Sequence, residues 1–118
     1  MNESTRISVE QRPSGVKVIT VTGDLDSMGT HMVEDSFSGA ITDRASRVVI
    51  NLGPVNFISS AGLAMLLVKG KALRQGGGSM VLAEANPRVF EVLSLAGFNE
   101  LFNIYPTVAD ALSQAEGR

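Results

Sequence analysis

The chain has 118 residues, with 10 Lys and Arg against 12 Asp and Glu, so that its formal net charge is −2. This length predicts one domain, and the charge balance argues against a protein that binds nucleic acid through its phosphates. The absence of cysteine excludes disulfides and a thiol nucleophile, and the single histidine, His31, leaves no basis for a multi-histidine metal site. We therefore expect no metal and no cofactor.

The N-terminal part of the chain predicts a β-hairpin. Apolar and polar residues alternate over Ile7–Glu10, which is the period of a half-buried strand. A Pro-Ser-Gly turn follows at residues 13–15, and Val16–Val21 has the composition of a second strand. The segment Gly23–Ser27 then ends this strand.

A weak helix is predicted from about residue 28 to residue 41. Asp26 or Ser27 is placed to cap it, whereas Gly29 and Gly39 lower its helix propensity. The apolar residues that give it helical spacing are Met32, Phe37 and Ile41.

Strands and helices alternate in the rest of the chain. Arg47–Leu52 is a short apolar strand of the kind that lies buried in a parallel sheet. A helix from about Ser60 to Gln75 follows, ended by three glycines in the manner of a C′ glycine. The later elements are a strand at Ser79–Ala85, a helix that starts at Asn86-Pro87 and ends at Gly97, a strand around Leu101–Ile104 and a helix from about Thr107 to Ala115. The apolar stripe of the helix that starts at Asn86 consists of Val89, Phe90, Val92, Leu93 and Leu95.

This order of elements predicts an α/β fold. Alternating strands and helices imply right-handed crossovers and a mixed, mainly parallel sheet of four or five strands, preceded by the N-terminal hairpin. If the strand Val16–Val21 lies beside Arg47–Leu52, the loops that follow both strands meet at one edge of the sheet.

An uncharged run of 21 residues extends from Val48 to Val68. It is long enough for a membrane-spanning helix, but Gly53, Pro54 and Asn56 lie inside it, where irregular backbone and polar groups would face lipid. Met1–Arg12 also lacks the apolar stretch of an export signal. We expect a cytoplasmic protein without membrane insertion.

The tetrapeptide Ser-Ser-Ala-Gly at residues 59–62 lies at a strand-to-helix junction, where a serine nucleophile is conceivable. The G-x-S-x-G arrangement is absent, however, and His31 is the one imidazole base available. The alternative is that Ser59 or Ser60 caps the helix by accepting a hydrogen bond from a free backbone N–H.

Two further patterns have structural alternatives. Asp24 and Asp26 could bind a metal or act as acid and base, but turn formation and capping account for them more simply. The glycines at 76–78 follow a helix and enter a strand, which is the reverse of a phosphate-binding loop. We predict no catalytic residues and no enzyme activity.

Residues 52–63, Leu-Gly-Pro-Val-Asn-Phe-Ile-Ser-Ser-Ala-Gly-Leu, resemble the signature of the STAS domain, specifically of bacterial anti-sigma factor antagonists. Further landmarks of the family are Gly23-Asp24-Leu25-Asp26, Gly76-Gly77, Pro87-Arg88-Val89 and Leu95-Ala96-Gly97-Phe98. The resemblance covers about residues 6–115. It implies a single STAS domain over residues 1–118, with helices packed mostly on one face of the sheet.

The resemblance implies a partner-switching protein. Such a protein binds an anti-sigma factor with a histidine-kinase-type ATPase fold and releases the sigma factor that it holds. The kinase phosphorylates a serine at the start of the helix after the third strand, and a phosphatase removes the phosphate. The alternative is a STAS module that is bound constitutively in a transporter or sensor complex and is not phosphorylated; neither role involves nucleic acid.

The sequence departs from the family pattern at the modified position. The serine that directly precedes the glycine of the signature is replaced by Ala61, so Ser60, and after it Ser59, are the candidates for phosphorylation. A helix N-terminus accepts a phosphate well, because its free N–H groups and the helix dipole favour an anion. The residues expected to contact the partner are Asp24, Asp26, Ser60, Ala61, Gly62, Leu63 and Met65.

Overall fold

The structure, a computed structural model, describes residues 4–117. Residues 1–3 and 118 lie outside the described residues. They are the two ends of the predicted domain, and residues 1–3 also begin the segment that is expected to lack an export signal. The strands are β1 (Arg6–Gln11), β2 (Lys17–Thr22), β3 (Arg47–Asn51), β4 (Ser79–Ala83) and β5 (Ile104–Tyr105). The helices are α1 (Ser27–Ala40), α2 (Ser60–Gln75), α3 (Pro87–Leu95), α4 (Phe98–Leu101) and α5 (Val108–Glu116).

The strands form one sheet in the order β1-β2-β3-β4-β5. β1 and β2 are antiparallel, and every later pair is parallel. Gly15 turns the chain between β1 and β2 with a φ of 93°, a conformation that glycine adopts without steric cost. The predicted mainly parallel sheet with an N-terminal hairpin is confirmed.

Helices cover the two faces of the sheet unequally. Side chains of a strand alternate between faces, and β3 places Val48 and Ile50 in one apolar core but Val49 in another. The larger core contains side chains from α1, α2, α3 and α4, whereas α5 supplies the helical part of the smaller one. The expectation that helices pack mostly on one face is therefore confirmed.

Helices α1, α2, α3 and α5 begin where short polar side chains accept hydrogen bonds from free N–H groups, whereas α4 has no side-chain cap within residues 4–117. Asp26 caps α1 by accepting from the N–H of Gly29 at 2.7 Å. Asn86 caps α3, with Pro87 as its first residue, as the sequence predicts. Thr107 caps α5 in the same way. α2 ends before Gly77, which has a φ of 90° and serves as the predicted C′ glycine.

The predicted apolar face of α1 is right for Phe37, which is buried, and for Ile41, which packs against the larger core, but wrong for Met32, which is 45% exposed. α1 also buries Val33 and the small residues Gly29 and Thr30. A β-carbon on Gly29 would lie 2.0 Å from the carbonyl oxygen of Asp24. The glycine that weakens the helix prediction is thus what allows α1 to approach the preceding loop.

The segment from α3 to β5 differs from its prediction in two respects. Leu101 ends the short helix α4, and the strand β5 begins at Ile104, because Gly97 reverses the chain with a φ of 81° and a further turn follows it. That turn buries Phe98 and Phe102 with their ring centroids 5.6 Å apart. The predicted stripe of α3 is also too wide, since Phe90 is 44% and Leu95 is 83% exposed.

Candidate partner-binding site

The loops that follow β2 and β3 lie against each other. Leu25 and Ile58 form a parallel β-bridge beyond the ends of the two strands. The backbone N–H of Leu25 donates to the carbonyl oxygen of Phe57 at 2.9 Å. β2 and β3 are paired, which is the condition under which the sequence predicts that the two segments of the site meet, and both segments do lie at one edge of the sheet.

Ser59 is the N-cap of α2. It is half-buried, and its hydroxyl group donates to the carbonyl oxygen of Leu25 at 2.9 Å while accepting from the N–H of Gly62 at 3.4 Å. The hydroxyl proton is therefore committed to the neighbouring loop. This decides between the two serines that the sequence leaves open as caps.

Ser60 is the first residue of α2, and it is exposed. Within residues 4–117, its hydroxyl group has no hydrogen-bond partner. The side chain is thus accessible, and it stands at the positive end of a helix of 16 residues.

Gly62 brings the start of α2 close to the first loop. It is buried, and a β-carbon there would lie 2.8 Å from the carbonyl oxygen and 2.9 Å from the β-carbon of Leu25. Any larger residue would push the two loops apart. Gly62 therefore shapes the site without offering a side chain to a partner.

The other predicted contact residues differ in exposure. Asp24 is exposed, while Asp26 is half-buried and engaged in capping α1. Ala61 and Leu63 are half-buried, so each presents part of its side chain to the surface. Met65 is 5% exposed and belongs to the larger core, where it supports the site from below.

Two exposed apolar side chains beside these residues are absent from the predicted set. Phe57, 48% exposed, directly precedes the bridge residue Ile58, and Met28, 73% exposed, lies on the first turn of α1. Phe57 belongs to the signature segment, which is a signal for including it. Met28 follows Ser27 directly, but helix phase alone does not show that it points to solvent.

No group of three His, Asp or Glu side chains within residues 4–117 is arranged to hold a metal ion. Among the same residues, no helix combines the length and apolar character needed to cross a membrane. A shallow cleft lined by Asn56, Asn86, Pro87 and Arg88 flanks the second loop.

The sequence model of the STAS domain family matches residues 6–111. The chain belongs to the STAS domain family. One relative is BtrV of Bordetella bronchiseptica, which is named as a putative anti-sigma factor antagonist. It is 34% identical to this STAS domain, and the match covers 76% of this chain and 78% of BtrV. The anti-sigma F factor antagonist of Paenibacillus polymyxa is 31% identical over 86% of this chain and 88% of its own.

Solved structures share the fold. An anti-sigma factor antagonist from Mycobacterium paratuberculosis has a TM-score of 0.86 at 27% identity, with 100% of both chains covered. The phosphorylated form of SpoIIAA, a Bacillus cell fate determinant, has a TM-score of 0.70 at 21% identity, covering 92% of this chain and 98% of its own. A sulfate transporter family protein from Wolinella succinogenes has a TM-score of 0.75 at 19% identity, covering 90% of this chain and 88% of its own. The last two comparisons show a common fold alone.

Proposed function

We propose that this STAS domain is an anti-sigma factor antagonist that acts in the cytoplasm and binds an anti-sigma factor through the edge where the two loops meet. The exposed or partly exposed residues of this edge are here called the loop face: Asp24, Met28, Phe57, Ser60, Ala61 and Leu63. The names of the relatives at 34% and 31% identity support this role. The proposed partner has a histidine-kinase-type ATPase fold.

The observation that carries the proposal is the position of Ser60. Its free hydroxyl group stands at the N-terminus of α2, and the signature segment also presents Phe57 to solvent. Exposed aromatic side chains serve as anchors in protein interfaces. A partner can bind such a surface while the serine is unmodified, and modification of the serine then changes the surface that the partner contacts.

We propose that the kinase partner phosphorylates Ser60 and that a phosphatase restores it. The phosphate would add about −1.5 to −2 of charge at neutral pH, in a place where binding requires removal of water. The fold would tolerate it, because α2 keeps its Ser59 cap and its N-terminus favours an anion. Phosphorylation would thus weaken partner binding without unfolding the domain.

Ala61 favours a second candidate function. The residue that directly precedes Gly62 cannot accept a phosphate, which is compatible with a module that stays bound to its partner. The fold is also that of a sulfate transporter family protein. In this alternative the loop face holds a transporter or sensor protein permanently, and Ser60 is not modified.

The test uses the full chain and an anti-sigma kinase encoded in the same genome. Binding is measured by titration calorimetry with and without ATP, and phosphate is located by mass spectrometry. Ser60→Asp should weaken binding at least about tenfold, the equivalent of 1.4 kcal/mol, while changing the free energy of unfolding by less than about 1 kcal/mol. The control, Ser113→Asp, introduces the same charge at an exposed position of α5 and should bind as the wild type does.

The outcomes separate the two functions. A complex that dissociates as phosphate appears on Ser60 supports the switch. A complex that persists in ATP, with Ser60 unmodified and Ser60→Asp still bound, supports the constitutive module. Failure to bind any such kinase contradicts anti-sigma factor antagonism itself.

A further inference from the structure

β1 is an edge strand of the sheet. Within residues 4–117 it pairs with β2 and with no other strand. Its six residues are matched to β2 without a bulge and include no Pro, and its two charged residues, Arg6 and Glu10, have opposite signs. The opposite edge, β5, is a strand of two residues. β1 is therefore the long edge available for pairing.

The backbone groups that face outward can be identified from the hairpin. The N–H of Arg12, directly after β1, donates to the carbonyl oxygen of Val16 at 2.8 Å, so the backbone of Arg12 faces the partner strand. Residues whose backbone groups face the partner strand alternate with residues whose groups point away from it. Ser8, four residues earlier, consequently bonds to β2, whereas the N–H and C=O groups of Ile7 and Val9 point away from the sheet.

The sequence around Ser8 is complementary to itself. In Arg-Ile-Ser-Val-Glu, residues 6–10, a two-fold axis at Ser8 places Arg6 opposite Glu10 of a second copy, and Ile7 opposite Val9. Opposite charges facing each other across antiparallel strands are stabilising, and like charges there are destabilising. A shift of two residues would instead place Arg6 opposite Ser8 or opposite Arg12.

The same register satisfies the backbone. Ile7 and Val9 both point their N–H and C=O groups outward. Ile7 of each copy can therefore form a hydrogen-bonded pair with Val9 of the other copy. If the alignment slipped by one residue, a residue with outward backbone groups would face a residue of the second copy whose backbone is already bonded to its own β2. The slip would also bring together side chains that belong to opposite faces of the sheet. Charge pairing and backbone pairing thus select one alignment.

The side chains also suit a covered edge. Ile7 and Val9 are paired with Val21 and Ile19 of β2, which lie in the larger core, yet Val9 is 46% exposed. Arg6 and Glu10 are exposed on the other face of the sheet. Glu10 approaches Arg12, which directly follows β1 in the same chain, at 3.6 Å, but an ion pair between such solvent-accessible groups is weak.

We propose that the chain forms a homodimer in which β1 pairs antiparallel with β1 of a second copy, with Ser8 opposite Ser8. The sheets of the two copies then form one continuous sheet. The loop face lies beyond the ends of β2 and β3, and the backbone of its Asp24 is hydrogen-bonded to Thr5, which directly precedes β1. The dimer would therefore present two loop faces, each close to one end of the paired strands, and its formation requires neither the proposed partner nor phosphorylation.

Charge reversal tests the alignment directly. In Arg6→Glu, positions 6 and 10, which face each other across the two strands, are both acidic. In Glu10→Arg, the same two positions are both basic. Each variant alone should be monomeric, whereas an equimolar mixture should form a heterodimer with both charge pairs restored. The double variant Arg6→Glu/Glu10→Arg should dimerise again. Lys71→Glu on α2 and Glu91→Arg on α3 change the net charge equally at exposed positions elsewhere and should dimerise as the wild type does.

Mass is measured by light scattering and sedimentation from about 1 µM to 1 mM, because a single strand pair is a small interface and small interfaces are weak. Each single reversal should raise the dissociation constant at least about tenfold, since both symmetry-related pairs are lost. Circular dichroism checks that the variants are folded. Hydrogen exchange should show the amides of Ile7 and Val9 becoming protected as the dimer forms.

The proposal is overturned by a wild-type chain that stays monomeric throughout this range. It is also overturned if the mixture of the two single variants remains monomeric while both are folded and the wild type dimerises. A dimer that leaves the amides of Ile7 and Val9 unprotected would show that another surface is used.

Discussion

The carbonyl oxygen of Leu25 accepts two hydrogen bonds from Ser59, one from its backbone N–H and one from its hydroxyl group, each 2.9 Å long. Leu25 follows β2 and Ser59 precedes α2, so this double contact joins the two loops of the site. The same hydroxyl group caps α2. One side chain thus fixes both the start of the helix and its distance from the neighbouring loop.

Ser59→Ala should lower the free energy of unfolding by about 1–2 kcal/mol, because it removes a helix cap and leaves the Leu25 carbonyl with one donor fewer. Ser60→Ala, which removes a hydroxyl group without a partner, should change it by less than about 0.5 kcal/mol. Urea unfolding of both variants provides the comparison. Equal losses at the two positions would show that Ser59 is not the cap in solution.

Gly62→Ala should lower the free energy of unfolding by about 1–3 kcal/mol, because the new methyl group would overlap the Leu25 backbone and force the loops apart. Gly39→Ala is the matched control. This control makes the same glycine-to-alanine substitution inside α1, at a position where no neighbouring atom lies within 4 Å of the added carbon. The control should be neutral or more stable by up to about 1 kcal/mol, and similar losses in both would contradict the packing argument.

Phe57→Ala should weaken partner binding at least about tenfold, because an aromatic anchor is removed from the loop face, while stability changes little since the ring is 48% exposed. Leu95→Ala removes another exposed apolar side chain, at the end of α3 opposite the Asn86 cap. It should leave binding unchanged. Calorimetric titration with the anti-sigma kinase measures both, and a wild-type affinity for Phe57→Ala would remove this residue from the loop face.

Much of the fold follows from local rules. Cap residues and glycines fix the ends of α2 and α3, and the mainly parallel sheet follows from the alternation of strands and helices. The pairing of β2 with β3 is known only from the structure. Once that pairing is known, the meeting of the two loops is a consequence of parallel strands ending at one edge. These features depend on a few residues at known spacings.

The features that were missed depend on tertiary packing. α1 packs Gly29 against Asp24 and leaves Met32 exposed, which a preference for burying apolar residues does not reveal. The turn after Gly97 forms because Phe98 and Phe102 pack together in the core, a contact that strand composition does not signal. The choice of Ser59 over Ser60 as cap likewise needs the position of the Leu25 carbonyl oxygen.

α5 is tied to the hairpin by a cluster of polar contacts at its C-terminal end. The carboxylate of Glu116 accepts hydrogen bonds from Arg12 at 3.0 Å and from Ser14 at 2.7 Å. Arg47 donates to the backbone carbonyl oxygens of Ala115 and Ser14. The hydrogen bonds from Arg12 and Ser14 lower the pKa of the Glu116 carboxyl group from its ordinary value of 4.5.

This lowered pKa gives the stability a pH dependence of known sign. A carboxyl group with a lower pKa in the folded state stabilises the fold at pH values above its unfolded pKa, and the contribution is lost as the pH falls through the folded pKa. Between pH 6 and about pH 3, the urea midpoint of the wild type should therefore fall more than that of Glu116→Gln, which cannot titrate. Glu91→Gln, which removes an exposed carboxylate on α3 with no ion pair among the described residues, should follow the wild-type curve. Parallel curves for the wild type and Glu116→Gln would mean that the Arg12–Glu116 contact does not persist in solution.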